Sequence, residues 1–217
     1  MFDSIFKFEN TVTWWCGAIA GFINLLAFPP YLRHIIRKTH NPSLIAWIIW
    51  AALGWIALVS YILTDERHDA VWVILLAAVC PTIVIKMVWS SGTFQKLGPA
   101  DYFVGALAAT AIGFLLATGS GDVAIWLAIA ADTLAVYVTV VGFRGNPRAE
   151  PWGPWTTYGL AAVVNLGATN WSSATAAALP VYTALAVVAI SAKAMSCQRD
   201  DVRAFLKRRR ERLRPSS

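Results

Sequence analysis

The chain has 217 residues, of which 58% are hydrophobic and 14% are charged, and its mean hydropathy is +0.57. One soluble core of this size cannot bury so much apolar surface, so the composition excludes a soluble globular protein and predicts a membrane protein. The formal net charge of +6 comes from basic residues that cluster in a few polar segments, as is typical of membrane proteins.

Seven apolar stretches follow one another along the chain, each close to the length of about 20 residues that a helix needs to cross a bilayer. The sequence lacks the ten-residue segments of alternating polarity that are typical of membrane strands, so the stretches are predicted to be helices. The predicted spans cover residues 12–36, 43–63, 71–89, 102–118, 123–143, 154–169 and 174–195.

The distribution of Lys and Arg predicts the orientation of these spans. Sixteen of the 18 basic residues lie where the first span meets the second, the third meets the fourth and the fifth meets the sixth, or after the seventh span. Cytoplasmic loops of membrane proteins carry such an excess. We therefore expect an integral protein of the plasma (inner) membrane, with its N-terminus outside and its C-terminus in the cytoplasm.

The first predicted span contains one amide, Asn24, and a proline pair, Pro29 and Pro30. Proline removes a backbone hydrogen bond from a helix, so the pair predicts a hinge in the second half of this span. Asn24 has two interpretations. The commoner role of an amide in a membrane is a hydrogen bond to a neighbouring helix, and the alternative is contact with a substrate.

Aromatic residues and a further proline mark the next two spans. Trp50 lies near the start of the second span. Trp55 lies deeper, where an interfacial anchor is not expected, so it is predicted to pack between helices or to line a cavity. Pro81 lies at mid-depth in the third span and is a further predicted hinge. The fourth span is rich in Ala and Gly, has no such feature, and is predicted to be a linker helix.

Asp132, in the fifth span, is the one acid placed near the centre of the predicted membrane. An ionisable side chain at that depth is strongly destabilising unless it is paired, hydrated or protonated, so Asp132 is a candidate functional residue. The alternative is a structural carboxyl that hydrogen-bonds Asn165 or a threonine hydroxyl. The functional interpretation is favoured because an acid is far harder to keep at this depth than an amide.

A weak internal repeat relates the two halves of the chain. A shift of 108 positions aligns Asn24 with Asp132, Trp47 with Trp155, and Trp50 with Tyr158. Pro180, in the seventh span, corresponds to Pro81 once a shorter turn in the second half is allowed for, and it is the last predicted hinge. Because one extra span separates the halves, both would run in the same direction through the membrane, as in parallel-repeat transporters.

The predicted fold class is an all-α membrane protein of seven transmembrane helices, in which two parallel triple-helix bundles are joined by one linker helix (3+1+3). The predicted boundaries are 1–98 for the first bundle, 99–119 for the linker helix, 120–196 for the second bundle and 197–217 for a basic cytoplasmic tail.

Two runs carry a resemblance: PPYLRHIIRKTHNPSLIAWIIW at residues 29–50 and ADTLAVYVTVVGFRGNPRAEPWGPW at residues 131–155. They resemble the paired motifs of the PQ-loop and SWEET superfamily, which includes the KDEL receptors, and most closely its uncharacterised bacterial seven-span members. The chain departs from the pattern where Tyr31 replaces glutamine and Val138 replaces the second proline. Four residues of the second half lie where the resemblance leads us to expect them: Asp132, Thr139, Pro147 and Glu150.

The resemblance implies a small-molecule transporter that works by alternating access between the two bundles, and the depth of Asp132 predicts that this residue couples transport to protons. A receptor of the same fold that binds a ligand without moving it is the alternative, since a fold does not fix a function. A neutral or weakly charged substrate is expected. The predicted substrate-binding residues are Asn24, Trp50, Trp55, Asp132, Tyr158 and Asn165.

Enzymatic, metal-binding and cofactor-binding roles have little support in the sequence. The three histidines lie in polar turns without metal-ligand spacing, the three cysteines are far apart, and no glycine-rich phosphate loop occurs. A retinal photoreceptor would need a lysine at the middle of the last span, where this chain has Lys193 at the inner end. The basic tail from Arg199 to Arg214 is predicted to bind anionic lipids, and no fold signal supports a nucleic-acid partner.

Overall fold

The computed structural model describes residues 11–63, 71–118, 121–169, 171 and 174–212, and no β-strand occurs among them. The predicted all-α class is confirmed. The helices are α1 (Thr11–Ile36), α2 (Leu44–Leu63), α3 (Val71–Ser91), α4 (Pro99–Thr118), α5 (Gly121–Gly145), α6 (Trp152–Asn165), α7 (Ala174–Cys197) and α8 (Arg199–Arg212). A short 3-10 turn, Leu166–Ala168, follows α6.

Five of the described helices are long and apolar enough to cross a membrane, which makes the chain an integral membrane protein. The sixth predicted span is shorter as a helix, because α6 has 14 residues. α2 has 20 residues and matches the second predicted span closely. The membrane-length stretches are Val12–Ile36 in α1, Trp72–Ser91 in α3, Asp101–Thr118 in α4, Trp126–Gly145 in α5 and Ala177–Cys197 in α7.

Prolines lie inside three of the helices without ending them. α1 contains Pro29 and Pro30, α3 contains Pro81, and α7 contains Pro180. Each proline leaves the carbonyl four positions earlier without its helical partner, which makes the helix easier to bend there. Pro81 is buried, whereas Pro29 and Pro30 are exposed. The hinge role of all four residues stays a prediction.

The membrane helices pack as two groups of three with the same internal pattern. In the first helix group (α1, α2 and α3), α3 packs against α1 and α2; in the second helix group (α5, α6 and α7), α7 packs against α5 and α6. The groups meet through contacts of α1 with α6 and of α2 with α5. α4 packs on α5 and more lightly on α2. The contacts between the groups therefore join the first helix of one group to the second helix of the other.

α2 and α3 approach each other backbone to backbone at Gly54. A Cβ atom at this position would lie 2.2 Å from the carbonyl oxygen of Ala77 and 2.8 Å from the Cα of Ala78, so a larger residue does not fit without moving a helix. Small residues allow such close approach between membrane helices, where van der Waals contact replaces the hydrophobic effect as the packing force. Gly54 thus holds α2 and α3 as a closely packed pair.

α4 buries one face and exposes the other. Val104 and Ala108 are buried against Ala46 on α2 and Ala135 on α5. A helix surface that faces lipid needs no polar residues, and the large exposed side chains of α4 are accordingly aromatic or apolar: Tyr102, Phe103, Leu107, Phe114 and Leu116.

One end of the helix bundle, which we call the basic end, comprises the segments 37–43, 92–98 and 146–151 together with α8. The backbone amide of Gln95 donates a hydrogen bond to the carbonyl of Pro42 (3.1 Å). The side-chain amide of Gln198 donates to the carbonyl of Glu150 (2.7 Å). These bonds tie the polar segments to one another and to the start of α8.

Candidate ligand-binding cavity

A cavity of about 220 Å³ lies between the first and second helix groups. All six helices of the two groups contribute to its lining, while α4 supplies none of the described lining residues. Most of the lining side chains are apolar. The polar and aromatic ones are Asn24, Phe28, Tyr31, Trp47, Trp50, Cys80, Asp132, Trp155, Tyr158 and Thr183.

Aromatic rings line the part of the cavity nearest the basic end. Trp47 packs edge-on against Trp50 with ring centroids 5.0 Å apart, and Trp155 lies 5.4 Å from Trp50. Tyr31 and Tyr158 extend this group, at 5.0 Å from Trp47 and 5.9 Å from Trp155 respectively. Edge-to-face contacts of this kind are favourable beyond the area they bury. Because the rings belong to α1, α2 and α6, they join the two helix groups.

Asp132 faces the cavity from α5 and is partly buried. Its carboxyl lies beside the side chains of Trp50 on α2 and Tyr182 on α7, and Tyr158 on α6 is close enough to interact with its charge. None of the described lining residues is Lys, Arg or His. The carboxyl therefore faces aromatic rings and hydroxyl groups instead of a fixed cation.

The cavity brings together four of the predicted substrate-binding residues from four different helices. Asn24 lines it from α1, Trp50 from α2, Asp132 from α5 and Tyr158 from α6. The predicted hinge Pro81 lines it from α3. These residues are far apart in sequence, so their convergence comes from the packing of the two helix groups.

Two other predicted substrate-binding residues, Trp55 and Asn165, lie outside the cavity lining. Trp55 is 45% exposed, and its indole nitrogen donates to the hydroxyl of Thr82 on α3 (2.9 Å). It follows Gly54 by one residue, which turns its side chain about 100° away from the lining face. Asn165 is seven residues after Tyr158 on α6, or about 10 Å further along the helix axis. The substrate-binding role of these two residues stays a prediction, and for Trp55 the contact with Thr82 fits the alternative that it packs between helices.

A second carboxyl, that of Glu150, lies beyond the aromatic rings at the basic end and is 1% exposed. Its Oε2 atom accepts hydrogen bonds from the hydroxyl of Tyr31 (2.7 Å) and the indole nitrogen of Trp155 (2.9 Å). Tyr31 belongs to α1, so the first bond joins the two helix groups. Burial raises the pKa of Glu150 to about 7, although the hydrogen bonds from Trp155 and Tyr31 act in the opposite direction.

Gln198, the residue between α7 and α8, holds the loop that carries Glu150. The side-chain amide of Gln198 donates to the carbonyls of Glu150 (2.7 Å) and Pro147 (3.1 Å). Arg148 forms an ion pair with Asp201 on α8 (3.3 Å), and both side chains are exposed. Hydrogen bonds to buried carbonyls stabilise by about 1 kcal/mol each, whereas an exposed ion pair contributes little. The amide of Gln198 is therefore the main attachment of this loop to the junction of α7 and α8.

His40 is another buried titratable group at the basic end. Its ring lies 4.5 Å from that of His34, and its Nδ1 atom is 3.0 Å from the hydroxyl of Thr39. Burial lowers the pKa of His40 to about 4, so its ring is neutral at neutral pH. Within the described residues, no three His, Cys, Asp or Glu side chains come together to hold a metal ion.

Glu150, Tyr31 and the pair Trp47 and Trp155 were not among the predicted site residues. A signal for the two tryptophans was present in the sequence, because the 108-position repeat pairs them. Glu150 was marked only by its place in the second run that carries the resemblance.

Neither a protein-family model, nor a curated protein, nor a solved structure matches this chain. The features that bear on function are therefore the cavity, the acid that faces it and the hydrogen-bonded group at the basic end.

Proposed function

We propose that the protein is a small-molecule membrane transporter that works by alternating access between two triple-helix bundles, which are the first and second helix groups. The position of the cavity carries the proposal: it lies between the groups and takes its lining from all six of their helices, without α4. Secondary transporters typically bind their substrates at the interface between structural repeats.

The helix packing supports seven spans in a parallel 3+1+3 repeat, of the PQ-loop and SWEET type that the sequence resembles. In the two helix groups α1 corresponds to α5, and α2 corresponds to α6. Exchanging the groups therefore turns the contact of α1 with α6 into that of α5 with α2, and the reverse. A two-fold axis along the membrane normal has this property. In this arrangement α6 is a short span, and α4 is the linker helix.

In the proposed orientation the basic end faces the cytoplasm of a cell whose inner (plasma) membrane holds the protein, and the N-terminus lies outside. The excess of Lys and Arg at that end supports it. α8 lies along the inner leaflet, where Phe205 packs against Trp152 (5.4 Å) and exposed basic side chains such as Lys207 attract anionic lipids. Reporter fusions at both termini test this, and an external C-terminus would overturn it.

Tyr31, Glu150 and Trp155 form the cytoplasmic gate in this proposal. Their hydrogen bonds join α1 to the segment between α5 and α6, on the far side of the aromatic rings from the middle of the cavity. Opening toward the cytoplasm requires that these bonds break and that Trp50 separates from Trp155. The bonded arrangement is therefore the state that is closed at the basic end.

Asp132 is the proton-coupling residue in this proposal. Its carboxyl faces the cavity, so each opening exposes it to a different compartment, and a rocking motion between the bundles can carry a proton with each cycle. The absence of Lys, Arg and His from the described lining supports this role, because no fixed cation keeps the carboxyl ionised.

Uptake of a panel of labelled metabolites into proteoliposomes, with and without an imposed pH gradient, tests the proposed function. At least one compound should accumulate above the level in protein-free liposomes, and the gradient should increase its accumulation. If compounds bind to the purified protein and none enters the liposomes, the transporter proposal fails in favour of a receptor that binds without transport.

A further inference from the structure

The charges and polar groups of the cavity discriminate between classes of ligand. Asp132 is the one carboxyl among the described lining residues, and none of them is cationic. An anionic ligand would meet no opposite charge there. A polyhydroxylated neutral molecule such as a sugar needs a hydrogen-bond partner for most of its hydroxyls, yet the lining is mostly apolar and the hydroxyl of Tyr31 is already bonded to Glu150.

A cation fits the same lining well. Trp50 lies beside the carboxyl of Asp132 and is 5.4 Å from Trp155, which in turn is 5.9 Å from Tyr158. The faces of Trp and Tyr rings attract ammonium groups, most strongly where water is excluded. A positive charge held among these rings would thus have a carboxylate as its counter-ion.

The size of the cavity limits the body of such a ligand. An apolar cavity of about 150 Å³ accommodates one benzene molecule, and this cavity has about 220 Å³. One ring or a short branched chain that carries an ammonium group therefore fits, whereas a peptide does not.

We propose that the cavity binds small organic cations that carry one ammonium group, and that Asp132 exchanges the bound cation for a proton. This inference rests on the proposed transport function and names the substrate class of the same cavity. One carboxylate balances either one monovalent cation or one proton. When the cation leaves, a proton binds a carboxylate oxygen, so each cycle moves one cation against one proton and transfers no net charge.

Among the titratable side chains around the cavity, we assign the exchange of the proton to Asp132 itself. The titratable side chains that interact with it are those of Tyr158 on α6 and Tyr182 on α7. Cys80 on α3 interacts with Tyr158, and Tyr31 is the titratable lining residue from α1. From α2 the carboxyl is faced by the indole of Trp50, which does not titrate, and α4 supplies no described lining residue.

Calorimetry with the purified full-length protein can show whether binding depends on the charge of the ligand or only on its shape. The probes are choline with its neutral isostere 3,3-dimethyl-1-butanol, and phenyltrimethylammonium with its neutral isostere tert-butylbenzene. In the wild-type protein each cation should bind at least about tenfold more tightly than its isostere. Asp132→Asn should remove this preference, while Asp101→Asn, the same change on α4 outside the cavity, should keep it.

Equal affinity of cation and isostere for the wild-type protein would overturn the proposal, as would a preference that survives Asp132→Asn. The wild-type protein also provides a test that needs no variant. Because the quaternary ammonium probes cannot lose a proton, their affinity should fall as the pH is lowered only if a protein carboxyl takes up the proton instead. An affinity that does not change with pH overturns the exchange even if Asp132→Asn fails to fold.

Counterflow of labelled choline in proteoliposomes distinguishes this inference from the proposed function. If choline binds through Asp132 and shows no counterflow, transport is refuted and the cation class holds for a receptor. If a neutral metabolite accumulates while neither cation binds, the cation class is refuted and transport stands. The expected result is choline counterflow together with proton release into the medium on choline uptake, measured with a pH dye.

Discussion

Asp132, partly buried inside a membrane helix, and Glu150, buried at the basic end, differ in their surroundings. Asp132 faces a cavity and has the side chains of Trp50 and Tyr182 beside it, whereas Glu150 lies outside the lining and accepts hydrogen bonds from two donors on different helices. A carboxyl that faces free volume can exchange its partner for a ligand. A carboxyl enclosed by donors from two helix groups holds those groups together instead. The comparison supports the proposed ligand exchange at Asp132 and the proposed closure at Glu150.

The largest effect expected from substituting either carboxyl is the loss of transport in the Asp132→Asn variant. This variant should lose pH-gradient-driven accumulation of any transported substrate down to the level of protein-free liposomes, because its amide cannot exchange a proton. Its thermal stability should equal or exceed that of the wild-type protein, since a carboxyl that is unfavourable in the membrane has been removed. Accumulation by Asp132→Asn would contradict the exchange role, and a large loss of stability would favour the structural role.

Glu150→Ala should show the opposite pattern, with a loss of stability. The substitution leaves the hydroxyl of Tyr31 and the indole nitrogen of Trp155 buried without an acceptor, and each unsatisfied donor destabilises by about 1–3 kcal/mol. Glu150→Gln keeps an acceptor oxygen and should lose less. Thermal unfolding in detergent should rank wild type above Glu150→Gln and Glu150→Ala last. If Glu150→Ala is as stable as the wild-type protein, the closure role is wrong.

The pH dependence of closure should come from Glu150. Burial in the closed arrangement raises its pKa from 4.5 to about 7, so the closed form binds more protons than an open, hydrated form. The stability that protonated Glu150 gives the closed form over the open form is complete below pH 4.5. It is lost as the pH rises through about 7. Nearby groups contribute little, because His40 is neutral above about pH 4 and Arg148 is paired with Asp201.

Spin labels at the exposed positions 37 and 144 on the two helix groups can measure this closure. In a background that carries Asp132→Asn and lacks the native cysteines, the population with the longer distance between the labels should grow between about pH 5 and pH 8. Adding Glu150→Gln should make the distance distribution independent of pH. A distribution that still changes with pH in that variant would place the titrating group elsewhere.

The smallest effect is expected for Trp55→Phe. The indole of Trp55 is 45% exposed and lies outside the cavity, so the variant loses one hydrogen bond to Thr82, which contributes about 1 kcal/mol at most. Transport and cation binding should stay within about twofold of wild type, since that difference corresponds to less than 0.5 kcal/mol. Trp50→Phe, which changes a ring of the cavity lining, should weaken cation binding more. Equal effects of the two substitutions would contradict the assigned lining.

Hydrophobicity was sufficient to predict the class of the protein and most of its membrane helices, since a lipid-exposed helix needs about 20 apolar residues whatever its neighbours are. The third span, for example, was predicted at 71–89 and is found at Val71–Ser91. The sixth was predicted to continue to residue 169, but α6 ends at Asn165. A Cβ at Gly167 would lie 2.7 Å from the sulfur of Cys16 on α1, so tertiary contact shapes the backbone there.

Position along a span predicted depth in the membrane, but not which way a side chain faces. The repeat that aligns Asn24 with Asp132 placed both at a similar depth, and both line the cavity. Trp55 was predicted from depth alone, and a helix that is apolar on every face gives no signal of its orientation. The burial of Glu150 depends on Tyr31, which is 119 positions away, so no local pattern could reveal it.

The contact at Gly54 has a mechanical consequence for any motion of the first helix group. The backbones of α2 and α3 touch where a Cβ atom would come within 2.2 Å of the carbonyl oxygen of Ala77. Neither helix can slide along or move closer to the other at this point without a steric clash. We therefore expect relative motion of α2 and α3 to be confined to a pivot about this point of backbone contact, so that larger motions of the group fall to α1, where the proline pair is the predicted hinge.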